Sequence, residues 1–224
     1  MCTVVCEWSP DEAPRILALR DEFVGRDFDA PGPWWPDQPT VVGGRDRLAG
    51  GSWCVSDYAT GTTALVLNRF EKRDGSPSRG LLPLAAVAHG DRWLDAIDVH
   101  GMASFNLALI GVSGVVVWEW DGASLRRLDV PAGRHLITSR GVDADDPRTR
   151  RFAPLFARQP WLDIVSSAEP CADDSALVVR RAVGDRTYAT VFGQLITAAP
   201  GSLDIRYSRT PWLAESWQRQ RWPR

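Results

Sequence analysis

The alternation of apolar and polar residues is clearest at the start of the chain. "TVVCEW" (3–8) is apolar on both faces of an extended segment, which predicts a strand buried on both sides. "SPDEAP" (9–14) follows with Ser, Pro and Asp, a turn signal. "RILALR" (15–20) sets Arg15, Leu17 and Leu19 against Ile16, Ala18 and Arg20, as a returning strand would. The opening therefore reads as a β-hairpin.

Further on, "FDAPGPWWPDQP" holds four prolines and a glycine, so an irregular loop packed by Trp34 and Trp35 is expected. Strands are predicted at "GGSWCVSD", "TTALVLNR", "SFNLALIG", "GVVVWEWD" and "ASLRRLDV", with Asp121-Gly122 the clearest hairpin turn. "SRGLLPLAAVAHGDRWLDAIDV" has helical spacing with a break near Gly90 and Asp91. "DPRTRRFAPLFARQ" opens with an Asp cap and an early proline, a helix start. Strands return at "SALVVRRAV", "TYATVFGQLITA" and "SLDIRYS". Strands, then helices, then strands predict an α+β fold with mainly antiparallel sheets shielded by helices.

Composition narrows the class. The 224 residues suit one sizeable domain spanning 1–224, since no repeat and no Gly/Ser linker divides them. Twenty-six basic against twenty-eight acidic side chains give a formal charge of -2, with no global pull toward nucleic acid or an anionic membrane. No stretch approaches the roughly 20 apolar residues of a membrane span. Glu7, Asp11 and Glu12 interrupt any signal-peptide pattern, so a cytoplasmic location is expected. Cys2, Cys6, Cys54 and Cys171 are expected as free thiols. His89, His100 and His135 lack ligand spacing, so neither a metal nor a cofactor is implied.

Candidate chemistry collects at Cys2, directly after the initiator methionine. If the hairpin turn centres between Asp11 and Glu12, Cys2 lies beside Asp21, and Thr3 beside Arg20. Paired residues in such a ladder are about 4.5–5.5 Å apart. Removal of Met1 would leave Cys2 with an α-amino group of pKa about 7.7–8.0 beside a thiol of about 8.5. The amine would then serve as a built-in base, Arg20 would favour the thiolate, and Asp21 would hold the amine. An exposed Arg–Asp pair beside an uninvolved Cys2 fits the same residues equally well. The loop "NRFEKRDGSPSRG" gathers Arg69, Lys72, Arg73 and Arg79, and reads as a solvated loop or an approach to an anionic group.

"MCTVVCEW" followed by "LALRDEF" resembles the NRDE family, also called transport and Golgi organisation 2-like. Leu19-Arg20-Asp21-Glu22 matches the Asn-Arg-Asp-Glu signature except at its first position. "VVGGRDRLAGGSWCVSDYATGTTALVLNR", "SRG" at 78–80, "FNLALI" and "HLITSRGVDADDPRTRRF" are similar to later family blocks, with Ser139 followed by Arg140 where the family has a Ser-Asn pair. The resemblance implies an N-terminal nucleophile hydrolase-like, four-layer α-β-β-α sandwich. By likeness to cysteine enzymes of that group, it implies Cys2 as nucleophile, supported by Arg20 and Asp21. Asn68 is the foremost candidate for an oxyanion donor. Asn106 and Arg140 are candidates for substrate binding, Arg140 for an anionic group. The implied reaction is hydrolysis or acyl transfer at an amide or thioester of a small molecule, the amide case being a C–N bond other than a peptide bond. The alternative is a non-catalytic carrier of a hydrophobic ligand such as acyl-CoA, lipid or haem.

Overall fold

The computed structural model describes residues 2–71 and 74–223; Met1, Lys72, Arg73 and Arg224 lie outside them. The first half of the chain holds β1 (Thr3–Trp8), β2 (Arg15–Phe23), β3 (Val41–Gly43), β4 (Cys54–Asp57), β5 (Thr62–Asn68) and α1 (Leu82–His89). Next come β6 (Phe105–Gly111), β7 (Gly114–Trp120), β8 (Leu125–Val130), β9 (Gly133–Thr138), β10 (Gly141–Val142), α2 (Pro147–Phe156) and α3 (Trp161–Ser166). The last part holds β11 (Arg180–Val183), β12 (Arg186–Ala199), β13 (Ser202–Ser208) and β14 (Gln218–Trp222). The fold is α+β, and neighbouring strands pair antiparallel throughout both sheets.

One sheet runs β10-β9-β1-β2-β12-β13-β14, with β11 also on β12; the other runs β3 to β8 in chain order. The opening hairpin thus lies inside the larger sheet, flanked by β9 and β12. Alternation along it explains why both of its faces are apolar. Val4, Cys6, Ile16 and Ala18 join Leu65, Leu67, Ala108 and Ile110 in one buried cluster between the sheets. Val5, Leu17 and Leu19 pack instead with Phe152, Phe156 and Trp161 from the segment of α2 and α3. The second sheet's other face, with Ala64, Val66 and Leu107, packs with Leu82 and Ala86 of α1 and with Trp93.

The hairpin register differs by one from expectation. Thr3 faces Leu19 and Glu7 faces Arg15, so the turn centres on Asp11. Asp11 takes a left-handed conformation at φ 72°, which aspartate tolerates better than most residues. A one-residue slip exchanges faces along a strand. Cys2 therefore shares a face with Arg20, while Thr3 shares the opposite face with Leu19 and Asp21.

The start of α2 follows the expected cap. Asp146 Oδ1 accepts from the N–H groups of Arg148 and Thr149 at the head of α2. Gly90, at φ 57°, ends α1, and residues 90–95 continue only as a 3-10 turn. At the predicted Asp121-Gly122 turn, Asp121 Oδ1 accepts from the N–H groups of Ala123 and Ser124, both at 2.7 Å. Five elements lie outside the segments that the sequence pattern predicts: β3, β9, β10, β14 and α3. "SALVV" was expected to be strand, but regular pairing starts only at Arg180, preceded by a lone bridge from Val179 to Cys171. No helix among the described residues is long and apolar enough to cross a membrane.

Candidate functional site

Cys2 lies one residue before β1 and is buried, as are Cys6 and Cys54; Cys171 is exposed, and all four are free thiols. The thiol of Cys2 points toward the main-chain oxygen of Asp21 at 4.0 Å. It lines a cavity of about 150 Å³ together with Arg20, Asn68, Arg79 and Trp53. Burial pushes the Cys2 thiol above its ordinary value; Asp21 adds to the rise, and Arg20 opposes it. The resting side chain is a neutral thiol, so reaction would require a base to take its proton.

Arg20 is buried next to this thiol, with its guanidinium 5.1 Å from the centre of the Phe28 ring. Its charge is shared. Nη2 lies 3.3 Å from Glu22 Oε2 and 3.9 Å from Asp46 Oδ2, and Arg26 Nε donates to Asp46 at 2.6 Å. Arg79, from the loop that reads in the sequence as solvated or as an approach to an anionic group, is a further cation on this cavity. Its Nη1 donates to the Ser104 carbonyl at 2.8 Å, and burial pulls its pKa down, partly offset by Cys2 and Glu22. The segment bearing it touches the opposite rim closely. A β-carbon on Gly51 would stand 2.4 Å from the Gly80 oxygen, and Ser52 N–H donates to that same oxygen at 2.8 Å.

The Asp21 carboxylate belongs to the other face of the sheet. Oδ1 accepts from Thr190 Oγ1 at 2.6 Å, and Oδ2 lies 3.7 Å from Arg148 Nη1 of α2. The same Arg148 nitrogen donates to Thr3 Oγ1 at 2.7 Å. The Tyr188 hydroxyl donates to the Asp21 carbonyl oxygen at 3.1 Å, and burial raises the phenol's pKa. The start of the chain is thus held from both sides, with the thiol and Arg20 on one face and Asp21 and Arg148 on the other. Neither Arg148 nor Thr190 carries a local signal, because the burial of an arginine on a helix is a tertiary property.

Asn68 ends β5 on the cavity rim, exposed, and its side chain makes no hydrogen bond among the described residues. Asn106 is placed elsewhere. It is fully buried, accepting from Arg69 Nη1 at 2.9 Å and donating to the Thr138 oxygen of β9 at 2.8 Å, which ties the two sheets together. Arg140 is exposed and lines a separate cavity of about 470 Å³ with Phe70, Arg148 and Arg181. Cys2, Arg20, Asp21 and Asn68 thus line one cavity, while Asn106 and Arg140 do not reach it. Among the described residues, no group of three or more His, Cys, Asp and Glu side chains is placed to hold a metal.

A family described as Transport and Golgi organisation 2 matches residues 1–154. The chain belongs to this family. The matched stretch runs from the chain start into α2, and so includes Cys2, Arg20, Asp21, Asn68, Arg79 and Arg148. Thr190 and Tyr188, which hold Asp21 in this Transport and Golgi organisation 2 member, lie beyond it on β12. No curated protein matches the chain.

Proposed function

We propose that this chain is a cytoplasmic N-terminal nucleophile hydrolase or acyltransferase acting on an amide or thioester of a small molecule. The architecture is read as a single domain, 1–224, forming a four-layer α-β-β-α sandwich. Three separate apolar clusters support that reading: one between the sheets and one on the outer face of each. The observation that carries the functional reading is the placement of the Cys2 thiol in one cavity with Arg20, Arg79 and Asn68.

Removal of Met1 frees the Cys2 α-amine. That amine takes the thiol proton, and the sulfur adds to the substrate carbonyl carbon. The Asn68 side-chain amide and main-chain N–H groups donate to the oxyanion; one such donor is typically worth about 2.7–4 kcal/mol in the transition state. The C–N or C–S bond breaks, and the leaving amine or thiol carries off the proton. Water, or an acceptor in a transferase, then cleaves the Cys2 thioester. Asp21, on the far side of the chain start, orients the amine. Arg20 and Arg79 favour the thiolate over the buried neutral thiol.

A second reading, a non-catalytic carrier, is favoured by one observation. Glu22 and Asp46 share the charge of Arg20, which weakens its help to a thiolate. A cavity of 150 Å³ would hold only a small head group of such a ligand, well below the roughly 300–1,000 Å³ of ordinary ligand sites. Incubation with activated amides and thioesters, followed by intact mass measurement, separates the two readings. A covalent acyl adduct at Cys2 that Cys2→Ala abolishes, with turnover reduced at least about 100-fold in Asn68→Ala, is the expected result. Ligand-induced thermal shifts without any adduct or turnover would establish the carrier instead.

A further inference from the structure

The cavity of about 470 Å³ on the α2 side of the chain start has the size of a small-ligand site and does not include the Cys2 thiol. Its charged lining can be accounted for group by group. Asp146 is consumed as the cap of α2: Oδ1 accepts from the Arg148 and Thr149 N–H groups, and Oδ2 from the hydroxyls of Thr138 and Thr149. Asp174 Oδ1 lies 3.1 Å from Arg181 Nη1. Arg148, nearly fully buried, faces Thr3 and Asp21. Arg140 is different. Its main-chain N–H donates to Thr138 Oγ1 at 3.2 Å, and its guanidinium lies 5.6 Å over the Phe70 ring, with no ion pair among the described residues.

One uncompensated guanidinium held over an aromatic ring, beside a roomy cavity that two further arginines line, fits a particular ligand chemistry. A carboxylate matches the guanidinium fork with two parallel hydrogen bonds. Phe70 offers its ring to a flat apolar body. Arg181 is paired with Asp174 and Arg148 faces Asp21, so Arg140 offers a single guanidinium without an ion pair among the described residues, which suits a monoanion better than a phosphate dianion. We infer that this cavity is a binding site for a small organic monocarboxylate, with Arg140 as its anchor and Phe70 as its platform. The site does not depend on the chemistry proposed for Cys2.

The probe is benzoate, titrated calorimetrically into the full chain and into its Cys2→Ala variant, with benzamide, phenyl phosphate and inorganic phosphate in parallel. Benzoate is expected to bind both proteins equally, and benzamide at least about tenfold more weakly, in line with a charge-assisted hydrogen bond on an exposed arginine. Arg140→Ala is expected to weaken benzoate by about tenfold and Arg140→Lys by less, while Arg47→Ala, at an exposed partner of buried Asp29, leaves it unchanged. Equal binding of benzamide overturns the proposal, as does an unaltered affinity in Arg140→Ala. Tighter binding of phenyl phosphate or inorganic phosphate overturns the carboxylate assignment. Absence of benzoate binding at millimolar concentration in the folded protein overturns the site itself.

Discussion

The thiol of Cys2 lies 4.0 Å from the main-chain oxygen of Asp21, while the Asp21 carboxylate turns to the opposite face of β2 and meets Thr190 and Arg148. The nucleophile candidate and its acidic neighbour therefore approach the chain start from two sides of one sheet. Their roles can be separated by experiment.

Burial, with Asp21 adding to it, raises the Cys2 thiol, and a higher pKa leaves less thiolate at any given pH. With Met1 retained, iodoacetamide is expected to label exposed Cys171 well before Cys2 at pH 7.5. Labelling of Cys2 should still be accelerating above pH 9. With Met1 removed, the same curve should move to lower pH, because the freed amine accepts the proton. Peptide mass spectrometry of both forms, with the Cys2 and Cys171 peptides quantified separately, checks this, and coincident Cys2 curves would exclude the amine as base.

Asp21 and Arg148 are both nearly fully buried, and breaking a buried pair leaves a charge without compensation. Asp21→Asn and Arg148→Met are each expected to lower unfolding stability by about 3 kcal/mol. The double variant should lose clearly less than the sum, because neither charge is then stranded. Urea denaturation of the four proteins gives the coupling. Additive losses would show that the 3.7 Å approach carries no interaction.

Asn106 joins β6 to β9 across the interior, with Arg69 and the Thr138 oxygen as its partners. Asn106→Ala leaves the buried Thr138 oxygen without this donor and Arg69 without one acceptor, and is expected to cost about 2 kcal/mol. Asn68→Ala, on the exposed rim, should cost under about 0.5 kcal/mol while removing turnover. Thermal denaturation beside a turnover assay distinguishes these roles. A stable Asn106→Ala protein with impaired substrate affinity would return Asn106 to the substrate site.

The Cys6 thiol is pushed from 9.0 to about 12 by burial, with Asp143 adding to the rise. A pKa raised on folding favours the neutral thiol in the folded state. The stabilisation is complete below about pH 9 and is lost as pH rises toward 12. Urea midpoints should therefore fall between pH 9 and 10.5, and fall less steeply in Cys6→Ala. Parallel pH profiles for the two proteins would contradict this assignment.

The hairpin, both long helical segments and most of the second sheet were legible because their apolar periodicity is local. The register was not, since it depends on a left-handed Asp11 that no hydrophobic pattern encodes. β9 escaped notice because "GRHLIT" carries Arg134 and His135 at its start, and its burial comes from pairing with β1. Cys2, Arg20 and Asn68 were nameable from sequence, and they line one cavity. Arg79 and Arg148 were not, because solvated and buried arginines look alike until distant segments enclose them.

The left-handed aspartate at position 11 also makes the length of its loop a matter of parity. Adding one residue between Ser9 and Pro14 while keeping β2 in place would rotate β1 by half a turn. The sulfur would then be presented to α2, and a threonine hydroxyl would occupy the small chamber in its stead. Two residues added together would restore the original presentation, so length variation here should be tolerated only in even steps.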